Sequence, residues 1–133
     1  MINQKLIDFL EETPYARNYG TEIITSIPET ECVTRWQNVF TGNPLLRAWH
    51  GGVVSGVLEL TGTLAVINSA KTKECALLSI NTSYLRPALG DKSLFSRATV
   101  VRSGKRVHTV SAVVWQNSPD EPTAMASLTF AGK

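Results

Sequence analysis

Trp49-His50-Gly51-Gly52-Val53-Val54-Ser55-Gly56-Val57-Leu58-Glu59-Leu60-Thr61-Gly62-Thr63-Leu64-Ala65-Val66-Ile67-Asn68 is the stretch that decides the fold. From Gly51 to Asn68 it reads as one continuous helix of about five turns. Four glycines interrupt it, and each costs roughly 1 kcal/mol relative to Ala in a helix interior. On a helical wheel Gly52, Ser55, Gly56, Glu59, Gly62, Thr63 and Val66 share one face, because they recur at three- and four-residue steps. The remaining surface is Val, Leu, Ala and Ile. A helix apolar nearly all round is a buried helix. A lone carboxylate among small residues on such a helix is therefore a working candidate, since buried acids are rare unless paired or functional.

Outward from this helix the elements fall into order. Asn3 is placed to cap an amphipathic helix through Glu12, with Leu6, Ile7, Phe9 and Leu10 as its apolar face, ended by Thr13-Pro14. Residues 20–27 and 31–40 read as strands separated by a turn at Ser26-Ile27-Pro28-Glu29. A loop, Thr41-Gly42-Asn43-Pro44, leads to the long helix, and a turn at Lys71-Thr72-Lys73 follows it. Residues 75–85, 93–102, 106–117 and 122–131 are strand-like, and Ser103-Gly104-Lys105 predicts a hairpin between the second and third of these. The expected plan is helix, two strands, long helix, then four strands in a meander. A flat sheet covers only one side of a helix, whereas a strongly curved antiparallel sheet can wrap it. That α+β arrangement is the hotdog fold.

The chain of 133 residues, 43% hydrophobic and 18% charged, suits one domain with a real core, 1–133. So little charge leaves surface to be covered, which favours an oligomer. A net charge of +2 with no basic run argues against a nucleic-acid partner. No stretch of 18 residues is free of polar interruption, so no membrane span is expected. Residues 1–13 alternate charged and apolar side chains, unlike a signal peptide. Cys32 and Cys75 fit core thiols in a reducing cytoplasm. His50, His108 and the two cysteines lack metal-ligand spacing, and neither a phosphate loop nor a Ser-His-Asp motif occurs. No metal and no cofactor are expected. Trp36, Trp49 and Trp115 read as core or interface aromatics, and His108 as an ordinary strand residue.

Three stretches carry a family resemblance. His50-Gly51-Gly52 followed nine residues after the histidine by Glu59, then Ser83-Tyr84-Leu85-Arg86-Pro87-Ala88, then Val100-Val101-Arg102-Ser103-Gly104-Lys105-Arg106 together resemble the hotdog acyl-CoA thioesterases of the phenylacetic-acid-degradation and 4-hydroxybenzoyl-CoA types. Sister hotdog dehydratases and hydratases place their histidine and acid differently. The family often has Asn or Gln six residues before the histidine; that place here is Pro44, with Asn43 one residue earlier.

The chemistry these residues allow is thioester hydrolysis. Free N–H groups at a helix N-terminus can polarise a carbonyl, and Gly51 is the candidate donor because no side chain blocks approach. Glu59 is the candidate general base or nucleophile. Thr63, one turn on, is placed to hold water or orient the carboxylate, and the resemblance implies a Thr or Ser there. His50 is read as orienting the loop or bonding near the carbonyl, and Asn43 as a possible polar partner. Gly52 and Ser55 leave room for an acyl group or for close backbone packing. Coenzyme A is anionic, so Arg86, Arg102, Lys105 and Arg106 are candidate contacts with Ser103 and Gly104 lining the hairpin; the resemblance favours the hairpin. Gly51 and Glu59 lie about 12 Å apart along a helix axis, too far to act on one carbon. At least a dimer with shared sites follows, and the resemblance implies a homodimer often paired into a homotetramer. Two rival readings remain: a hydratase or dehydratase of an acyl thioester, and a non-catalytic acyl-CoA-binding dimer.

Overall fold

The computed structural model describes residues 2–70, 72 and 74–132, with Ala70 described by its backbone alone. Lys71 and Lys73 of the expected turn at Lys71-Thr72-Lys73 lie outside the described residues. Helix α1 (Gln4–Glu12) starts as expected, with the Asn3 side chain accepting the Lys5 N–H at 3.1 Å. Pro14 does not close the helical region. It opens a second short helix, α2 (Pro14–Tyr19), where a proline at the first position costs nothing because that N–H has no helical partner. Gly20 then ends α2 in the left-handed region at φ 65°.

Strands β1 (Glu22–Thr25) and β2 (Thr30–Thr34) form the first hairpin. The second strand ends six residues before the expected Phe40, and Asn38–Phe40 is a single 3-10 turn. The β-propensity of this stretch is overridden by aromatic packing. Phe40 leaves the sheet to stack on Trp49 at 5.1 Å, and Trp49 meets Trp36 edge-on at 5.5 Å. Helix α3 runs Gly51–Ala70, and β3 (Cys75–Tyr84), β4 (Leu94–Ser103), β5 (Val107–Trp115) and β6 (Ala124–Gly132) follow.

The six strands form one antiparallel sheet in the order β1-β2-β4-β5-β6-β3. The expected four-strand meander is thus only three strands, β4-β5-β6, with the Ser103-Gly104-Lys105 hairpin where the sequence put it. β3 instead pairs with β6 at the sheet edge, and the chain crosses through residues 85–93 to reach β4. That crossing is anchored to the start of α3, where the Trp49 N–H donates to the Ala88 carbonyl at 2.9 Å.

The sheet curls around α3, which packs against β2, β3, β4, β5 and β6 while α1 lies on its other side. Leu58 and Leu64 of α3 are fully buried with Leu94, Val110, Val114, Leu128 and Phe130. A Cβ on Gly62 would come within 3.3 Å of the Phe130 ring, so this glycine lets the helix seat closely on β6. Thr61 is buried without penalty, its hydroxyl bonded to the Val57 carbonyl and to Ser96, each at 2.8 Å. The segment Gly51–Ser69 is long and apolar enough to cross a bilayer, yet 67% of it is buried within the protein's own fold. Leu58→Ala is expected to cost about 2–5 kcal/mol, read as a lower urea midpoint at unchanged m-value.

Candidate active site

The site begins at the N-terminus of α3, where backbone donors have no intrahelical partners. The His50 carbonyl accepts the N–H groups of Val53 and Val54, each at 3.0 Å. The His50 ring accepts the Gly52 N–H on Nδ1 at 2.9 Å. His50 therefore acts as a side-chain cap, and among the described residues only the Gly51 N–H at this end has no partner. Gly52 is required by that cap: a Cβ there would sit 2.9 Å from the imidazole. The preceding loop is held against the same point, with the His50 N–H donating to the Phe40 carbonyl at 2.8 Å. Gly42 lies so near that a Cβ on it would be 2.6 Å from the His50 Cα.

Gly51 opens on a cleft of about 440 Å³ lined by Trp49, Val54, Tyr84, Arg86 and Thr123. The Tyr84 hydroxyl donates to the Gly51 carbonyl at 2.6 Å and fixes the end of β3 to the start of α3. Arg86 thus shares the cleft with Gly51.

Along α3 the partly exposed stripe is Gly52, Ser55, Glu59 and Thr63. It is narrower than the wheel implies, because Gly56, Gly62 and Val66 are covered. Ser55 bonds across to Thr82 of β3 at 3.0 Å, and the Thr63 hydroxyl donates to the Glu59 carbonyl at 2.9 Å. Among the described residues no hydrogen bond or ion pair holds the Glu59 carboxylate. Its burial, with no compensating donor, raises the Glu59 pKa above the ordinary carboxylate value. The Cys75 thiol on β3 is pushed up to about 11 by burial, with the Glu59 charge adding. A carboxylate with no partner among the described residues and a raised pKa is a stronger base than an ordinary one and is suited to taking a proton.

The other candidates are dispersed. The Asn43 side chain is engaged in its own turn, accepting the Leu45 N–H at 2.8 Å on an exposed loop. Arg102, Ser103, Gly104, Lys105 and Arg106 are exposed at the β4–β5 hairpin, where Ser103 bonds the His108 ring at 2.8 Å. The register places this hairpin beside Cys75, at the opposite end of β3 from Tyr84. The ten residues of β3 separate the hairpin cations from Gly51 by roughly 30 Å within one chain. Two groups escaped the sequence reading. Tyr84 lies two residues before Arg86 in the Ser83–Ala88 motif, where the arginine is the candidate for charge. Tyr15 and Tyr19 bond to each other at 2.6 Å and cover Gly56; their spacing of four on a helix begun by proline was the available signal. Among the described residues no group of His, Cys, Asp and Glu could hold a metal ion.

A long helix wrapped by a six-stranded antiparallel sheet is the hotdog architecture. Solved structures of similar form include a thioesterase family protein from Silicibacter pomeroyi, with TM-score 0.83 and 22% identity over 97% of this chain and 96% of that one. The PaaI protein of the Escherichia coli phenylacetic acid degradation operon superposes with TM-score 0.83 at 14% identity, over 100% and 96% of the two chains. Mouse thioesterase superfamily member 2 does so with TM-score 0.81 at 19% identity, over 96% and 95%. Residues 47–123 match the sequence model of the thioesterase superfamily. The chain belongs to the thioesterase superfamily. A Halobacterium salinarum protein with a provisional esterase name is 40% identical over 84 residues, 58% of this chain. The matched segment spans about half of that relative, 54% of its length.

Proposed function

We propose that this chain is an acyl-CoA thioesterase that releases a free acid and coenzyme A. The observation that carries the reading is a Glu59 carboxylate on a stripe of small residues and a Gly51 N–H at the start of the same helix, both without a partner among the described residues. The Gly51 N–H, at the positive end of the helix dipole, bonds the thioester oxygen as charge develops on it. Glu59 takes the proton of water or adds to the carbonyl carbon itself. The C–S bond breaks and the thiolate leaves. Where Glu59 has added, water then hydrolyses the mixed anhydride to the free acid and restores the carboxylate. On either route the thiolate takes up the proton that comes from water. Both needs are met by protein groups, so the reading calls for no metal or cofactor.

The 12 Å between Gly51 and Glu59 along the axis makes each site the joint work of two subunits. The sheet supports this. Of its two edges, β1 has four residues and an irregular register, while β3 has ten and an outer edge without a partner strand among the described residues. Such an edge is a template for strand addition, and Leu78 is 58% exposed along it. Two copies joined edge to edge about a two-fold axis place both strands and both α3 helices antiparallel. The Gly51 end of one helix then approaches Glu59 of the other. The same symmetry carries one subunit's Ser103–Arg106 hairpin toward the other's Gly51 cleft, where it would join Arg86 around the coenzyme A phosphates. We place this single-domain homodimer, paired further into a homotetramer, in the cytoplasm.

Thiol release from a panel of aryl- and alkyl-CoA thioesters, followed with a colorimetric thiol reagent, tests the reading. Release by the wild type and its loss in Glu59→Gln support hydrolysis. Product formation without thiol would mark a hydratase or dehydratase instead, and ligand binding unaffected by Glu59→Gln without turnover would mark a binding protein.

A further inference from the structure

Helix α2 crosses α3 at Gly56, and the fit there is specific. A Cβ on Gly56 would lie 2.0 Å from the Tyr19 hydroxyl oxygen and 3.1 Å from that of Tyr15. The absent side chain is therefore filled by a pair of phenol hydroxyls bonded to each other at 2.6 Å. Tyr19 is buried, its ring tilted against Phe40 at 5.8 Å, while Tyr15 is 57% exposed and meets Tyr19 edge-on. Glu59 stands three residues beyond Gly56. A long helical side chain leans toward the helix N-terminus, over the turn before its own Cα. The Glu59 carboxylate is thus directed toward the surface of Ser55 and Gly56, where the hydroxyls are. Its charge reaches Tyr19, yet no hydrogen bond joins them. Two hydroxyls carry two hydrogens and spend one on their mutual bond, so one hydrogen and unshared lone pairs remain for a third party.

We infer that the Tyr15–Tyr19 hydroxyl couple holds the hydrolytic water against the Glu59 carboxylate, so that water rather than the carboxylate attacks the thioester. This rests on the thioesterase reading and chooses between its two chemical forms. Water bonded to the couple at one point and to Glu59 at another has a lone pair free for the carbonyl carbon. Its oxygen forms the new C–O bond while its proton passes to Glu59. The C–S bond breaks and the thiolate takes the proton back from Glu59, leaving the free acid and the thiol. Burial and the Tyr15 bond hold the Tyr19 phenol above its ordinary pKa, so Tyr19 keeps its hydrogen across the working range. The titratable groups that feel the Glu59 charge are Tyr19 from α2 and Cys75 from β3; Ser55 and Thr63 flank it on α3.

The test uses Tyr15→Phe, Tyr19→Phe and the double variant, which keep the rings and their stacking. Each is expected to lose roughly tenfold in kcat, the worth of one hydrogen bond, with KM within about twofold. The double variant is expected to be no worse than either single one, because the couple acts as a unit. The acid limb of the pH profile persists, since Glu59 remains the base. Gly56→Ala displaces the Tyr19 hydroxyl with both phenols present and is expected to show the same kcat loss, with thermal melts reporting that the fold survives. Single turnover in heavy-oxygen water places the label in the released acid. Turnover within twofold of wild type in both Phe variants overturns the inference, as does label appearing in Glu59. So does an effect confined to KM for oxygen-bearing acyl groups, which would make the couple a reader of the acyl chain. Wild type that releases no thiol from any thioester strikes the thioesterase reading itself, a different failure.

Discussion

Glu59→Gln is expected to lower kcat by roughly 10²–10⁴-fold, the usual worth of a positioned general base, while leaving KM for the thioester nearly unchanged. Gln preserves length, shape and hydrogen-bonding capacity and removes only basicity. No hydrogen-bonded network is broken by the change, since no partner among the described residues holds the carboxylate. The same variant is expected to be more stable than wild type at neutral pH. Burial raises the Glu59 pKa in the folded state, so between the unfolded and folded values the native protein binds more protons than the unfolded chain. Stability therefore falls as pH rises through that window, and the ionised carboxylate is a cost at pH 7. Gln removes that cost. Thermal melts from pH 4 to 8 should show wild type and variant converging in acid and separating toward neutrality, with the variant higher. In wild type kcat/KM should fall with acid, its limb lying above the ordinary carboxylate range. Activity and stability moving in opposite directions is the mark of a group kept for its chemistry. A purely structural acid would lose stability on substitution and keep its turnover, and that result would remove Glu59 from the mechanism.

What could be read from the chain alone was what local pattern determines. The glycine-studded apolar run of α3 needs a curved cover, and Ser103-Gly104-Lys105 can only be a tight reversal, so both were legible. The errors lie where distant residues decide. Nothing within Cys75–Tyr84 states that its neighbour is β6 rather than β4. That choice is made by the crossing at residues 85–93, pinned beneath Trp49. Trp36 and Phe40 carry strand propensity and yet leave the sheet to pack on Trp49. Helix α2 is six residues long, too short to show a period, and its proline reads equally well as a stop or a start. The candidate site divides in the same way. Gly51, His50 and Glu59 are close in sequence, so spacing alone makes them candidates. The tyrosine couple reaches Gly56 from some forty residues away, and no local signal links the two.

A shared site predicts that two dead proteins make a live one. Gly51→Pro removes the candidate donor with little harm to the helix, because proline is favoured at the first helical position, and Gly51 does not occupy positive φ. Loss of that donor is expected to lower kcat by roughly 10²–10³-fold. Glu59→Gln leaves the donor intact and lacks the base. If each site joins Gly51 of one subunit to Glu59 of the other, a mixed dimer has one site with both defects and one with neither. Random reassociation makes half the dimers mixed, so co-expressed or co-refolded variants should recover about a quarter of wild-type kcat from parents that are nearly inactive. A single-chain site gives no such rescue, since every chain then carries one lesion. The geometry leaves little room between these outcomes: with about 12 Å separating the two residues along the axis, failure to complement would mean that Gly51 and Glu59 do not serve the same thioester. Sedimentation of each parent and of the mixture, run alongside, shows whether the subunits have exchanged. A mixture with exchanged subunits and no recovered activity would overturn the shared site.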